Sequence, residues 1–298
     1  MSLRPRTALL LTVAPLLWAG NAVVGRLVHT LVAPMALNFL RWALAFMILL
    51  PLGWRALRPG SGMWAGWRRF GVLGLLGIGL YNALQYLALH SSSPINVTLV
   101  AAGMPVWIML VGALFFGVPA TRAQMAGAVL SIAGVLVVLA RGDWQLLLAL
   151  RPVPGDLYMI LATIAWAFYS WLLTRRAEAP ALRADWAAFL LAQVGFGLLW
   201  SGLFAAGEAA LGAPAPHWGW PLALALLYVA AGPALLAFRC WSAGVEQAGP
   251  SVAGFFANLT PLFATLLSAA FLGELPHPFH GLAFALIVGG IVLSARAR

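Results

Sequence analysis

Apolar residues run along this chain in blocks of about twenty, separated by short segments that carry arginine, proline or glycine. A helix rises 1.5 Å per residue, so ~20 apolar residues cross the ~30 Å of a bilayer's hydrocarbon. The pattern predicts ten such helices, over 7–28, 34–53, 70–90, 94–117, 122–140, 155–174, 186–206, 219–239, 250–272 and 279–295. Pro34, Pro94 and Pro250 stand at predicted starts, where the missing N–H costs least. The longest connections, 54–69 and 141–154, are too short to fold alone. The expectation is an all-α integral membrane protein without a soluble domain. Arg4 and Arg6 precede the first block as they would in a signal peptide. That block continues to about Val28 without a convincing cleavage pattern, so it is read as the first transmembrane helix.

Composition sharpens this picture. Of 298 residues, 63% are hydrophobic and 8% charged, against about 25% charged in soluble domains. A net charge of +10 would suit a nucleic-acid partner, but the seventeen basic residues are all arginines scattered in ones and twos between the blocks. They read as topology signals instead. With the N-terminus inside, thirteen arginines are cytoplasmic, Arg26, Arg141 and Arg151 are outside, and Arg41 lies within a span. Both termini are therefore expected in the cytoplasm, with the chain in the inner (plasma) membrane. Trp54, Trp64, Trp67, Trp144, Trp186, Trp218 and Trp220 lie near span ends, as interfacial anchors do. The single cysteine, Cys240, excludes an internal disulfide and a cysteine metal cluster.

The chain also repeats itself. At an offset of 156 residues, Pro94 falls on Pro250, Pro105 on Pro261, Gly117 on Gly273 and Gly134 on Gly290. At an offset of 148, Trp18 falls on Trp166. These matches divide the chain into two five-helix repeats, 1–140 and 141–298. An odd number of helices makes the second copy enter the membrane from the opposite side. Inverted repeats of this kind are a mark of secondary transporters, whose substrate sites lie near the midplane between the copies.

Several ordered motifs point the same way: Leu17-Trp18-Ala19-Gly20-Asn21, Asn38-Phe39-Leu40-Arg41-Trp42, Ala101-Ala102-Gly103-Met104-Pro105, Gly155-Asp156-Leu157 through Trp166-Ala167-Phe168-Tyr169, and Asn258-Leu259-Thr260-Pro261 with Leu272-Gly273-Glu274. Over nearly its whole length the chain resembles the drug/metabolite transporter superfamily, EamA type. One departure is Gly117-Val118, where many members have Gly-Glu, as the second copy does at Glu274. The resemblance implies ten helices, inverted repeats and export of small metabolites, amino acids being a common class.

Intramembrane polar groups are expensive and so become candidates for a site. Arg41 lies about seven residues into the second span, some 10 Å deep. It could anchor a substrate carboxylate or supply a field for anions; equally, it could bind helix-end carbonyls or pair with an acid such as Glu274. Trp18 with Asn21, and Trp166 with Tyr169 and Ser170, share one helix face in each repeat. Together with Trp107 they would make aromatic walls bearing a few amide and hydroxyl groups, or simply pack helices. In the third span Tyr81, Asn82, Gln85 and Tyr86 fall within two turns and should avoid lipid. Asn96, Thr98, Gln193, Tyr228 and Asn258 are lesser candidates, better suited to interhelical hydrogen bonds. Pro105 and Pro261 are expected as paired mid-span bends that free the carbonyls of Ala101 and Ala257, serving either as hinges or as static kinks.

The acids and histidines all fall at span ends or in loops. A proton-coupled drug antiporter normally carries an intramembrane carboxylate, and a membrane protease or a deep metal site needs acids or histidines inside the bundle. No catalytic residue, metal or cofactor is therefore expected. The leading expectation is a monomeric exporter of amino acids or related small metabolites, working by alternating access, with the bilayer and a small molecule as its partners and no nucleic acid. Nucleotide sugars and lipophilic drugs are the alternative substrates. A lipid-modifying membrane enzyme is the alternative of a different class.

Overall fold

The computed structural model describes residues 3–141, 143–272 and 277–296. Among them no strand occurs, and ten helices are long and apolar enough to cross a membrane. These are α1 Pro5–Leu27, α2 Pro34–Gly53, α3 Trp67–Leu89, α4 Ile95–Phe116, α5 Arg122–Ala140, α6 Pro154–Thr174, α7 Trp186–Ala210, α8 Trp220–Ala248, α9 Pro250–Leu267 and α10 Pro278–Arg296. Large apolar side chains such as Leu9, Met47, Leu114, Val129 and Leu199 point outward, as a lipid-facing surface requires.

Local chemistry explains the ends. Proline opens α1, α2, α6, α9 and α10. Thr121 and Gln124 form a reciprocal capping box at the start of α5. Asp185 accepts from the N–H groups of Ala187 and Ala188 at the start of α7. Glu208, in the last turn of α7, accepts from Met35 and Ala36 and so caps α2 from a neighbouring helix. Gly117, at a φ of 69°, ends α4 in the left-handed region that favours glycine.

The largest departure from the sequence pattern is at the end of α8. α8 continues to Ala248 and does not stop at Arg239. The Arg239 guanidinium lies 5.4 Å from the Trp186 ring centroid, so a cation that looked like a terminus is accommodated on an aromatic face.

The helices pack in corresponding pairs. α5 lies against α10 and α2 against α7; α3 lies against α6 and α1 against α8; α4 lies against α6 and α9 against α1. Exchanging each helix for the one five places along maps this set onto itself. The α5–α10 seam is built on glycine. A Cβ added at Gly290 would lie 2.6 Å from the Gly127 carbonyl oxygen, and one added at Gly134 would lie 2.9 Å from that of Ala283. Side chains at these positions would hold the backbones apart.

Irregularities recur in matching helices too. α3 contains a π-helical turn at Leu75–Leu80 and α8 one at Ala230–Leu236. α4 is broken between Ala102 and Met104, and α9 between Ala257 and Thr260. Pro105 and Pro261 thus each begin a second helical segment, where their missing N–H is harmless, and do not bend a continuous helix. The carbonyl that gains a side-chain partner at these breaks is that of Ala102, which accepts from Asn258 Nδ2 at 3.2 Å.

Candidate functional site

The middle of the bundle is a cluster of rings. Trp18 of α1 and Trp166 of α6 meet edge to face with centroids 5.3 Å apart. Trp241 of α8 lies 5.4 Å from Trp18 and 5.5 Å from Trp166. Tyr81 of α3 sits 4.9 Å from Trp166, and Phe238 of α8 sits 5.4 Å from it. Tyr81 and Trp241 therefore hold corresponding places, each against the central tryptophan of the other half. Such offset and edge-on contacts are the favourable ones for aromatic quadrupoles. Trp18 Nε1 donates to the Pro233 carbonyl at 3.3 Å, tying the cluster to the π-turn of α8.

Hydrogen bonds fix several of these rings and polar groups. Tyr169, fully buried, donates from its hydroxyl to Gln193 Oε1 at 3.0 Å, and Gln193 Nε2 donates to the Phe189 carbonyl. Ser170 accepts from Trp241 Nε1 at 3.2 Å. Both Tyr169 and Ser170 are thus occupied by packing partners. Asn258 is likewise committed: besides Ala102 it donates to Ser131 Oγ at 2.9 Å. Asn96 bonds Asp156 and the Arg151 carbonyl at a helix end, remote from the rings. Trp107 is half-buried beside Gly103 at the break of α4 and is not one of the stacked rings. Tyr228 lies over Gly20 at the edge of α8.

A second group adjoins the rings through α2. Trp42 is fully buried and 4.9 Å from Phe238. Arg41 is 3% exposed, with Nη1 3.5 Å from Asn21 Oδ1, a long contact, and with no carboxylate in salt-bridge range among the described residues. The Arg41 guanidinium also lies 5.3 Å from the centroid of the Trp42 ring. Glu274, a possible counter-ion in the sequence, lies outside the described residues. Asn38, 1% exposed, donates from Nδ2 to the Ile78 carbonyl inside the π-turn of α3. Asn82, 6% exposed, and Gln85 have no side-chain partner among the described residues.

Asn38, Trp42, Phe238 and Trp241 were not among the residues singled out from the sequence. A signal existed for the first two. They flank Arg41 at helical spacing in the motif Asn38-Phe39-Leu40-Arg41-Trp42, so all three share a face.

The carboxylates among the described residues sit at helix ends or in the connections. Glu178, fully buried, pairs with Arg69 at 2.7 Å and Arg183 at 3.0 Å, and Arg183 reaches on to Glu246. Arg69 and Arg183 also cap the carbonyls of Leu172 and Leu173 at the end of α6. Near the other end of α6, Asp156 accepts from Ser92, Asn96 and the Val153 N–H. Two recesses lie at helix ends. One of about 450 Å³ is beside Ser91–Ser93 and Arg151, the other of about 400 Å³ beside Thr121 and Ala248; neither is lined by the central rings. No group of three or more His, Cys, Asp or Glu is arranged to hold a metal among the described residues.

Ten membrane-crossing helices around a midspan patch of rings, amides and a buried guanidinium define a protein that handles a small molecule within the bilayer. The chain belongs to the EamA-like transporter family, whose sequence pattern matches residues 5–140 and again 153–296. It is a multi-pass membrane transporter. It is 30% identical to the aromatic amino acid exporter YddG of Ancylobacter novellus, over 86% of this chain and 87% of that one. An uncharacterized transporter of Archaeoglobus fulgidus is 27% identical over 97% of both chains. A crystal structure superposes with a TM-score of 0.76 at 25% identity, over 98% of this chain and 96% of that chain.

Proposed function

We propose that this protein exports amino acids or related small metabolites across the inner membrane, by alternating access between two inverted five-helix repeats, 1–140 and 141–298, with both termini in the cytoplasm. The observation that carries the reading is the midspan cluster of Trp18, Trp166, Tyr81 and Trp241 beside Arg41 and Asn21. Its aromatic faces suit an apolar side chain, and its amides and guanidinium suit a polar end. The exporter named for aromatic amino acids among the relatives supports that class first. The matched helix pairs, and the matched π-turns of α3 and α8, support two copies of one unit. The thirteen-to-three arginine bias supports the orientation.

Among the described residues Arg41 is the guanidinium that stands beside the rings, 5.3 Å from the Trp42 centroid, which argues against nucleotide sugars, since two phosphates call for several cations. Flux in proteoliposomes tests the reading with a panel of amino acids, a nucleotide sugar and a lipophilic cation. Saturable movement of aromatic or other large apolar amino acids is expected. Transport of the cation or nucleotide sugar alone would replace the amino-acid reading.

A further inference from the structure

Three buried polar atoms on α2 have no hydrogen-bond partner among the described residues: Asn38 Oδ1, Arg41 Nε and Trp42 Nε1. The other two such atoms among the described residues, Arg69 Nε and Glu178 Oε2, face each other in an ion pair at 2.7 Å. Among the described residues, the fully occluded polar atoms that lack any partner are therefore gathered in one turn of one helix. An unsatisfied buried donor or acceptor costs ~1–3 kcal/mol, and an unpaired buried charge costs more. Three at i, i+3 and i+4, without a partner among the described residues, mark a place with room in its hydrogen bonding for a molecule from outside the chain.

We propose that Asn38, Arg41 and Trp42 form a subsite that reads the polar end of the transported molecule, Arg41 and Trp42 taking a carboxylate and Asn38 taking its ammonium; this rests on the amino-acid reading above. The polarity of the atoms makes the assignment. Arg41 Nε and Trp42 Nε1 are donors, one of them cationic, and match a carboxylate. Asn38 Oδ1 is an acceptor. Its orientation is set because Nδ2 is engaged by the Ile78 carbonyl at 3.3 Å, which leaves the oxygen for a donor. The Trp42 ring also touches Phe238, itself in contact with Trp166. A ligand held at the α2 edge would therefore lie with its apolar end toward the rings. The long Arg41–Asn21 contact is a weak bond that a carboxylate would readily displace.

The test uses the full-length protein in proteoliposomes with three labelled probes: phenylalanine, 3-phenylpropionate, which lacks the ammonium, and 2-phenylethylamine, which lacks the carboxylate. Wild type is expected to favour phenylalanine over each of the others by about tenfold or more, the worth of a charged hydrogen bond. Trp42→Phe keeps the ring and removes one N–H. It should lower flux of both carboxylates about fivefold, leave 2-phenylethylamine unchanged, and leave the melting temperature in detergent the same or higher. Arg41→Gln should abolish the preference for a carboxylate, and Asn38→Leu the preference for phenylalanine over 3-phenylpropionate. A purely structural role predicts the opposite pattern, with melting temperature and flux of all three probes falling together. That outcome, or wild-type phenylalanine flux in every variant, overturns the subsite while leaving amino-acid export standing. If wild type moves none of the probes and none raises its melting temperature, the export reading falls and the subsite with it. Should Arg41→Gln fail to fold, Trp42→Phe decides.

Discussion

The seam between α5 and α10 and the ring cluster between α1, α6 and α8 both join corresponding helices of the two halves, yet they are made of opposite materials. At the seam, glycines bring backbone against backbone, and Gly127 and Gly290 leave no room even for a methyl group. In the cluster, bulky rings hold the helices apart, and the adjoining α2 keeps polar atoms without partners. The helices around the cluster also carry the irregular backbone, the π-turns of α3 and α8. π-turns are often found at functional sites because they re-aim side chains at a modest cost in hydrogen bonding. Close backbone packing resists sliding, whereas ring faces held by single hydrogen bonds can be exchanged for other ring contacts. The contrast separates a scaffold from a working surface.

Changes at the seam should do the most damage. Gly290→Leu places its Cβ 2.6 Å from the Gly127 carbonyl oxygen, a backbone atom that cannot rotate away. It is expected to cost more than about 3 kcal/mol, read as loss of monodisperse protein in detergent. A seam that tolerates leucine would remove the distinction.

Next comes the ion-pair network at the end of α6. Glu178→Gln leaves Arg69 and Arg183 facing each other without their shared carboxylate. The cost should be about 2–3 kcal/mol, below that of a wholly buried pair because both arginines keep some contact with solvent. Thermal melting of the purified variant measures it.

Within the cluster, stability and transport should come apart. Trp18→Phe removes the bond to the Pro233 carbonyl but keeps an aromatic ring. It should cost about 1 kcal/mol or less in stability while slowing phenylalanine flux several-fold. Equal losses in both would mean the cluster only packs.

The smallest effect on stability is expected at the breaks of α4 and α9. Pro105→Ala and Pro261→Ala each restore an N–H at the start of a helical segment, where it is barely needed. Melting should move by less than about 1 kcal/mol equivalent, while flux falls if the breaks serve as hinges. Wild-type flux in both variants would make them static kinks.

The bundle was legible in the sequence because a bilayer imposes one strong rule: blocks of about twenty apolar residues become helices. The rule weakens where a charge has a private solution. Arg239 looked like the end of a span but rests on the Trp186 ring, so α8 runs nine residues further, to Ala248. The π-turns were invisible, since glycine at 77 and 79 and Gly232-Pro233 permit them without demanding them. In the candidate site, Trp18, Trp166 and Tyr81 could be singled out because the repeat aligned the tryptophans and polar residues clustered in the third span. Their mutual contact depends on helix rotation, which hydropathy does not encode. Asn38 and Trp42 were passed over because an isolated amide and an indole look like packing residues until a structure shows their atoms without partners. Ser170 accepts from Trp241 within the protein, and Asn258 donates to Ala102 and Ser131, the interhelical bonding that suited it in the sequence.

Alternating access of the two halves about the ring cluster is tested most directly by distances measured at both ends of α1 and α6. On a Cys240→Ser background, one spin-labelled pair would stand at Arg6 and Arg175, and a second at Leu27 and Leu157, all four exposed side chains. Electron-electron resonance distances would be recorded with and without saturating phenylalanine in lipid. Opposite changes are predicted, one pair drawing together as the other separates. Two distributions that stay fixed in the presence of transported phenylalanine, or that move in the same direction, would contradict it.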